Sequence, residues 1–200
     1  MKRFRKVLIV LLAILVPVSI GFGFNFFSGE SSDSAENQAM TVEGTLTVNK
    51  ISGAQNLVPK DKICNGVTMN ITSSAVSLLR VKVDVYYAKV GSTEYTVTTD
   101  IAPIDNPGTN WLKGSDGYYY YTQGVKNGDI VKLAEEGIYF NGLNDNVDMN
   151  KYQGKKIKVV ANAELVQAKH GVFAEKWGLS ENKDGDIYTK LKKISNDQGQ

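Results

Sequence analysis

From Leu79 to Tyr87 the chain alternates apolar and polar side chains one for one. Leu79, Val81, Val83, Val85 and Tyr87 fall on one side, and Arg80, Lys82, Asp84 and Tyr86 on the other. A period of two puts successive side chains on opposite faces, so this stretch reads as a strand with one buried face; a helix would scatter its apolar residues around the cylinder. The pattern recurs at Met40, Val42, Gly44, Leu46 and Val48, at Val67, Met69 and Ile71, at Tyr95, Val97, Thr99 and Ile101, and at Ile157, Val159, Ala161, Ala163 and Leu165. Turn-forming clusters divide these runs: Asp105-Asn106-Pro107-Gly108, Gly114-Ser115-Asp116-Gly117, Asn127-Gly128-Asp129 and Gln153-Gly154. Short strands so punctuated, with few long helical periods, predict an all-β antiparallel sandwich of jelly-roll topology. One or two short helices are expected, over 73–78 and 171–177.

The leader sets where such a domain works. Lys2, Arg3, Arg5 and Lys6 precede an apolar run over 7–27 that is interrupted only by Pro17, Ser19, Gly21, Gly23 and Asn25. At about 1.5 Å per residue a helix of that length covers roughly 31 Å, enough to cross a hydrocarbon core. Basic residues before an apolar run keep that end inside and send the downstream chain across. The exit, Gly23-Phe24-Asn25-Phe26-Phe27-Ser28-Gly29, is bulky where a signal peptidase needs small side chains, which favours a retained signal-anchor, a transmembrane helix, over a cleaved signal peptide. The expected organisation is therefore a leader over 1–27, a polar linker over 28–39 with Glu30, Asp33 and Glu36, a β-sandwich over 40–178 and a polar, flexible tail over 179–200. The domain is expected on the extracellular side of the membrane, or secreted if the leader is removed.

Charge and reactive residues narrow the function classes. Four of the 23 basic residues lie in the first six positions, so the rest of the chain carries 19 basic against 21 acidic residues. That balance argues against nucleic acid as a partner. A single cysteine, Cys64, excludes an intramolecular disulfide and is expected to be a small buried apolar residue. A single histidine, His170, rules out the HExxH zinc motif and any multi-histidine zinc site. No serine or cysteine stands in a recognised nucleophile turn, so an acid–base role for His170 with Glu164 or Glu175 has nothing to activate. Asn144, Asn146, Asp148 and Asn150 hint at a calcium loop, but Met149 and Lys155 stand where that loop needs glycine and glutamate, so a polar surface loop is expected. Asp184-Gly185-Asp186 reads as a turn. No catalytic, cofactor or metal residue is expected.

An ordered set of motifs goes further. Asn65-Gly66 precedes a strand, and Leu79-Arg80-Val81-Lys82-Val83 follows. Trp111 comes before Gly114-Ser115-Asp116-Gly117-Tyr118-Tyr119-Tyr120-Tyr121, and Gly128-Asp129 opens the next element. Ala163-Glu164-Leu165-Val166-Gln167-Ala168 comes last, with Phe173, Ala174 and Trp177 behind it. The series resembles the TasA/camelysin-like family of exported proteins of Gram-positive bacteria, over nearly the whole of 40–178. The resemblance implies a jelly-roll domain, export, and in the best-known members polymerisation into biofilm-matrix fibres by strand donation. The leader departs from the family pattern in lacking a small-residue cleavage site. Camelysin-type relatives are also labelled metalloproteases, an activity for which these residues give no support.

The expected function is that of a cell-surface or matrix structural protein forming homo-oligomers or fibres by β-strand addition, and bound to the membrane through its N-terminal helix. Met40, Val42, Gly44, Leu46 and Val48 form the expected self-association strand. Gly44 on its buried face reads as a weak point, letting the strand leave its sheet, as a place where another backbone approaches closely, or as a simple bulge. The alternatives are a tethered glycan- or partner-binding module and a camelysin-like metal-dependent peptidase. For the former, Trp111, Tyr118, Tyr119, Tyr120 and Tyr121 form a candidate aromatic surface. Alternation gives that run a second reading, with one tyrosine pair in the core and the other covering the sheet.

Overall fold

The computed structural model describes residues 42–50, 60–98, 104, 106–140, 152 and 154–198; of residues 42, 43 and 48–50 it describes the strand path only. The leader, the linker, Met40 and the Asn144–Asn150 loop lie outside the described residues. Nine strands and two α-helices are described: β1 (Val42–Lys50), β2 (Lys62–Ser73), β3 (Ser77–Lys89), β4 (Thr96–Thr98), β5 (Trp111–Lys113), β6 (Tyr118–Tyr121), β7 (Ile130–Leu133), β8 (Ile138–Tyr139), β9 (Lys155–Gln167), α1 (Val172–Trp177) and α2 (Glu181–Asp197). Among the described residues, no helix is long and apolar enough to cross a membrane.

The strands form two antiparallel sheets, the all-β sandwich that the alternation predicts. Sheet A runs β1-β2-β7, with β8 also paired to β2; sheet B runs β4-β3-β6-β5, with β9 on the other side of β3. Alternation decides what lies between them. Leu46, Val67, Met69 and Ile71 of sheet A meet Leu79, Val81, Tyr119, Ala161, Ala163 and Leu165 of sheet B in one buried cluster. At roughly 25 cal/mol per Å² of apolar surface removed from water, this interface is the main stabilising term of the domain.

β2 is not straight. Val48 faces Val67, but Lys50 faces Cys64, so Asn65 and Gly66 together oppose one residue of β1. Gly66, at φ +81°, sits where the other edge of β2 changes partner from β8 to β7. This is a bulge with a left-handed glycine, which kinks the strand so that it can pair with both.

Two expectations are corrected. The stretch over 73–78 is not a helix: β2 ends at Ser73 and β3 begins at Ser77, leaving a tight corner between the sheets. Both serines are buried, their hydroxyls 2.9 Å apart, and the Ser73 hydroxyl donates to the Ala75 carbonyl at 2.7 Å. Side-chain bonds to nearby backbone offer these residues an alternative to helix. The stretch after Leu179 is not a flexible tail either. It forms α2, which buries Ile187 and Leu191 with Phe173, Trp177 and Leu179 of the α1 region against Leu78, Tyr120 and Val166 of sheet B. One apolar stripe among many charges is enough to dock a helix on a sheet. The sandwich thus carries a third, helical layer on the outer face of sheet B. The helix expected over 171–177 is α1, entered through a 3-10 turn at Lys169–Gly171.

Candidate functional site

The expected self-association strand lies at an edge. Among the described residues β1 is the outermost strand of sheet A, paired with β2 in a register that runs unbroken from Val42 opposite Ser73 to Val48 opposite Val67. Gly44 sits opposite Ile71 inside that regular stretch, and the irregularity falls later, between Val48 and Lys50; the bulge reading of Gly44 is therefore replaced by one of close approach. A methyl group at Gly44 would stand 2.8 Å from the Asn70 carbonyl oxygen and 3.4 Å from Leu165 Cδ1 of β9. Leu46, two residues on, is buried in the core. One side of β1 is thus hydrogen-bonded and one of its faces is packed.

The five aromatic residues do not form a shared platform. Trp111 is buried, and its indole N–H donates to the Lys132 carbonyl at 2.8 Å, linking β5 of one sheet to β7 of the other. Tyr119 enters the core between the sheets, and Tyr121 packs beside Trp111 with ring centroids 5.0 Å apart. Tyr118 and Tyr120 face the helical layer, where Tyr120 is fully buried. The four tyrosines divide between the two faces as alternation requires, and both faces are covered.

Sequence reading missed the polar cluster around Arg80. The register sets Arg80 of β3 between Tyr120 of β6 and Glu164 of β9, so all three point into the helical layer. Arg80 Nε and Nη2 donate to Glu164 Oε2 at 3.1 and 2.8 Å, and Tyr118 donates to Oε1 at 2.8 Å. Arg80 Nη1 donates to the Tyr120 hydroxyl at 3.2 Å, which itself donates to Asp116 Oδ2 at 2.6 Å. The guanidinium lies 3.9 Å from the Tyr118 ring centroid and 5.0 Å from that of Trp177. Burial alone would lower the Arg80 pKa, but the bonds from Tyr120 and Glu164 outweigh it and raise it. Its hydrogen bonds run between β3, β6, β9 and Asp116 of the β5–β6 turn, and the guanidinium rests on Trp177 of α1, so the group ties the strands of sheet B together beneath the helical layer.

The cluster has a measurable signature. Burial first, then the bond to Asp116, pushes the Tyr120 phenol far above its ordinary value; burial and Glu164 raise Tyr118 as well. The folded state therefore keeps phenols protonated that the unfolded chain ionises near pH 10. Their contribution is complete below pH 10 and is lost as the pH rises beyond it. Urea midpoints taken on either side of pH 10 should fall on the alkaline side, and Tyr120→Phe should flatten part of that fall; an unchanged slope would contradict the assignment.

The remaining sequence candidates separate. Cys64 is buried, and burial pushes its thiol up, away from the reactive thiolate. His170 lines an open cavity of about 450 Å³ with Phe173, Tyr188, Lys192, Ser195 and Asn196, a lining that carries no acid. Glu164 belongs to the Arg80 cluster instead. Asp184 lies in the first turn of α2, where its carboxylate accepts the Ser180 N–H at 2.9 Å. Among the described residues, no three His, Cys, Asp or Glu side chains converge as a metal set. Comparison with protein-family models, with curated proteins and with solved structures gives no match for this chain.

Proposed function

We propose that this chain is an exported, non-enzymatic structural protein of the cell surface or matrix, with a jelly-roll-type domain of the TasA/camelysin-like kind. It self-associates by adding β1 of one copy to a sheet edge of the next. One observation carries the reading: among the described residues β1 is an edge strand, it follows a polar linker in the sequence, and it meets its neighbour at a glycine where a methyl group has no room. Strand addition satisfies main-chain donors and acceptors along an edge and needs no special side chains, which suits a chain with few reactive residues. Head-to-tail addition of this kind does not close, so it yields fibres when the leader is released and short surface oligomers when it is retained. No observation favours the glycan-binding reading, since Trp111, Tyr119 and Tyr120 spend their rings in packing.

Light scattering coupled to size exclusion tests the proposal. The protein should form concentration-dependent oligomers, and deletion of residues 40–48 should abolish them while leaving a destabilised domain that accepts the same peptide in trans. Gly44→Ala should loosen β1 by about 1 kcal/mol or more, and so speed strand exchange roughly fivefold. A strict monomer at high concentration, with no exchange after mild heating or acidification, would overturn the proposal.

A further inference from the structure

The helical layer lies over only one end of sheet B's outer face, above Leu78, Tyr120 and Val166. At the other end Lys156 and Lys158 stand on this same face, opposite Ala88 and Tyr86, while the Lys89–Lys155 pair beside them falls in the opposite phase at the end of the strands. The ion pairs among the described residues are Arg80 with Asp116 and Glu164, Lys82 with Asp84, and Lys132 with Glu135; none engages these four lysines. Lys156 Nζ and Lys158 Nζ both approach the Tyr95 ring, at 5.0 and 5.4 Å from its centroid. Two ammonium groups around one ring repel each other, and the ring offsets this only in part.

Large apolar side chains stand exposed at the same end. Val90, in the turn closed by the Ser92 N–H donating to the Lys89 carbonyl, is 76% exposed; Val97, opposite Tyr86 on the next strand, is 56% exposed, and Tyr95 is 38% exposed. A hairpin with valine at its turn, a tyrosine on its flank and, beside it, lysines that no ion pair among the described residues engages is amphipathic in the sense an interface requires. The lysines attract lipid phosphates, the phenol suits the headgroup level, and the valines gain by leaving water. A soluble polyanion would answer the charge but leave Val90 and Val97 in water.

We propose that this end of sheet B, the β3–β4 hairpin with the start of β9, is a docking surface for an anionic lipid bilayer. It is independent of β1 and of the strand-addition reading. Docking would lay the domain against the membrane surface, with Val90 entering the headgroup boundary and Lys156 and Lys158 facing phosphate.

The test uses the full chain reconstituted in lipid nanodiscs, with a polarity-sensitive fluorophore on Val90→Cys; the native Cys64 is buried and escapes labelling. The emission should shift to the blue in discs containing phosphatidylglycerol and stay at its aqueous position in phosphatidylcholine alone. Lys156→Gln with Lys158→Gln should reduce the ratio of docked to undocked protein roughly twenty-five-fold, at a factor of about five per lysine. Lys190→Gln with Lys192→Gln on α2 should leave it unchanged. Aqueous emission in both lipids would overturn the proposal, as would an equal shift in both or an equal loss in the α2 variant. A shift produced by a soluble glycerol-phosphate polymer in phosphatidylcholine discs would assign the patch to a polyanion and also overturn it.

Discussion

Replacing Arg80 by methionine is expected to remove about 3–5 kcal/mol of folding stability, the range for stripping one partner from a buried ion pair. The Arg80 side chain is only 10% exposed and that of Glu164 19%. Methionine keeps some of the packing between Tyr118 and Trp177 but supplies no charge. Glu164 then loses both guanidinium bonds to Oε2, and Asp116 loses the cation 3.6 Å away. Urea unfolding measures the loss. Adding Glu164→Gln to Arg80→Met should recover part of it, because the uncompensated carboxylate is then gone, and the double-mutant cycle gives the coupling. Tryptophan emission should move too, since Trp177 rests on the guanidinium. A loss below about 1 kcal/mol would mean that the cluster is solvated and holds little.

Gly66→Ala is the second large effect. A methyl group there would lie 2.2 Å from the Ala134 carbonyl oxygen and 2.7 Å from that of Leu133, and both obstacles are backbone. The residue is also at φ +81°, where an L side chain is strained. Strain alone is worth on the order of 1 kcal/mol; with the collision the total should reach roughly 3–4 kcal/mol. Gly128→Ala separates the two contributions, because Gly128 has φ +86° with nothing near its missing methyl. Thermal denaturation should show a small shift for Gly128→Ala and one several-fold larger for Gly66→Ala. Equal shifts would place the whole effect in the backbone angle.

Much of the sandwich was legible because alternation encodes one buried face. Leu79, Val81 and Val83, and Ala161, Ala163 and Leu165, lie on the inner side as the pattern requires. What alternation cannot tell is what covers the opposite face. Arg80 and Glu164 read as solvent-facing polar positions until the helices are seen above them. α2 escaped notice because Ile187, Leu191 and Ile194 are three apolar positions in a segment otherwise full of lysines and acids, with Gly185 breaking the helical angles inside it. β7 shows in the sequence only as an element opened by Gly128-Asp129: Ile130 occupies a polar phase of its strand and stands 64% exposed, which blurs the alternation that Val131 and Leu133 carry. A glycine on the buried face of β1 already suggests close approach at Gly44, but no local pattern says that Asn70 and Leu165 are the residues that come near.

The pairing of β3 with β9 also bears on how the chain comes to fold. β3 is the central strand of sheet B, yet its thirteen-residue partner arrives late, with Arg80 and Glu164 separated by 84 positions. Contacts of such long sequence separation pay loop-closure entropy before they return any energy, so they slow folding. A chain emerging from its N-terminus presents β1 and β2 first, as a local hairpin-like pair, while β3 waits with one edge open. The second sheet closes only once β9 has emerged, and the helical layer that rests on it forms last. During that interval the edge of β3 that β9 will cover has unpaired main-chain donors and acceptors, open to pairing with another strand.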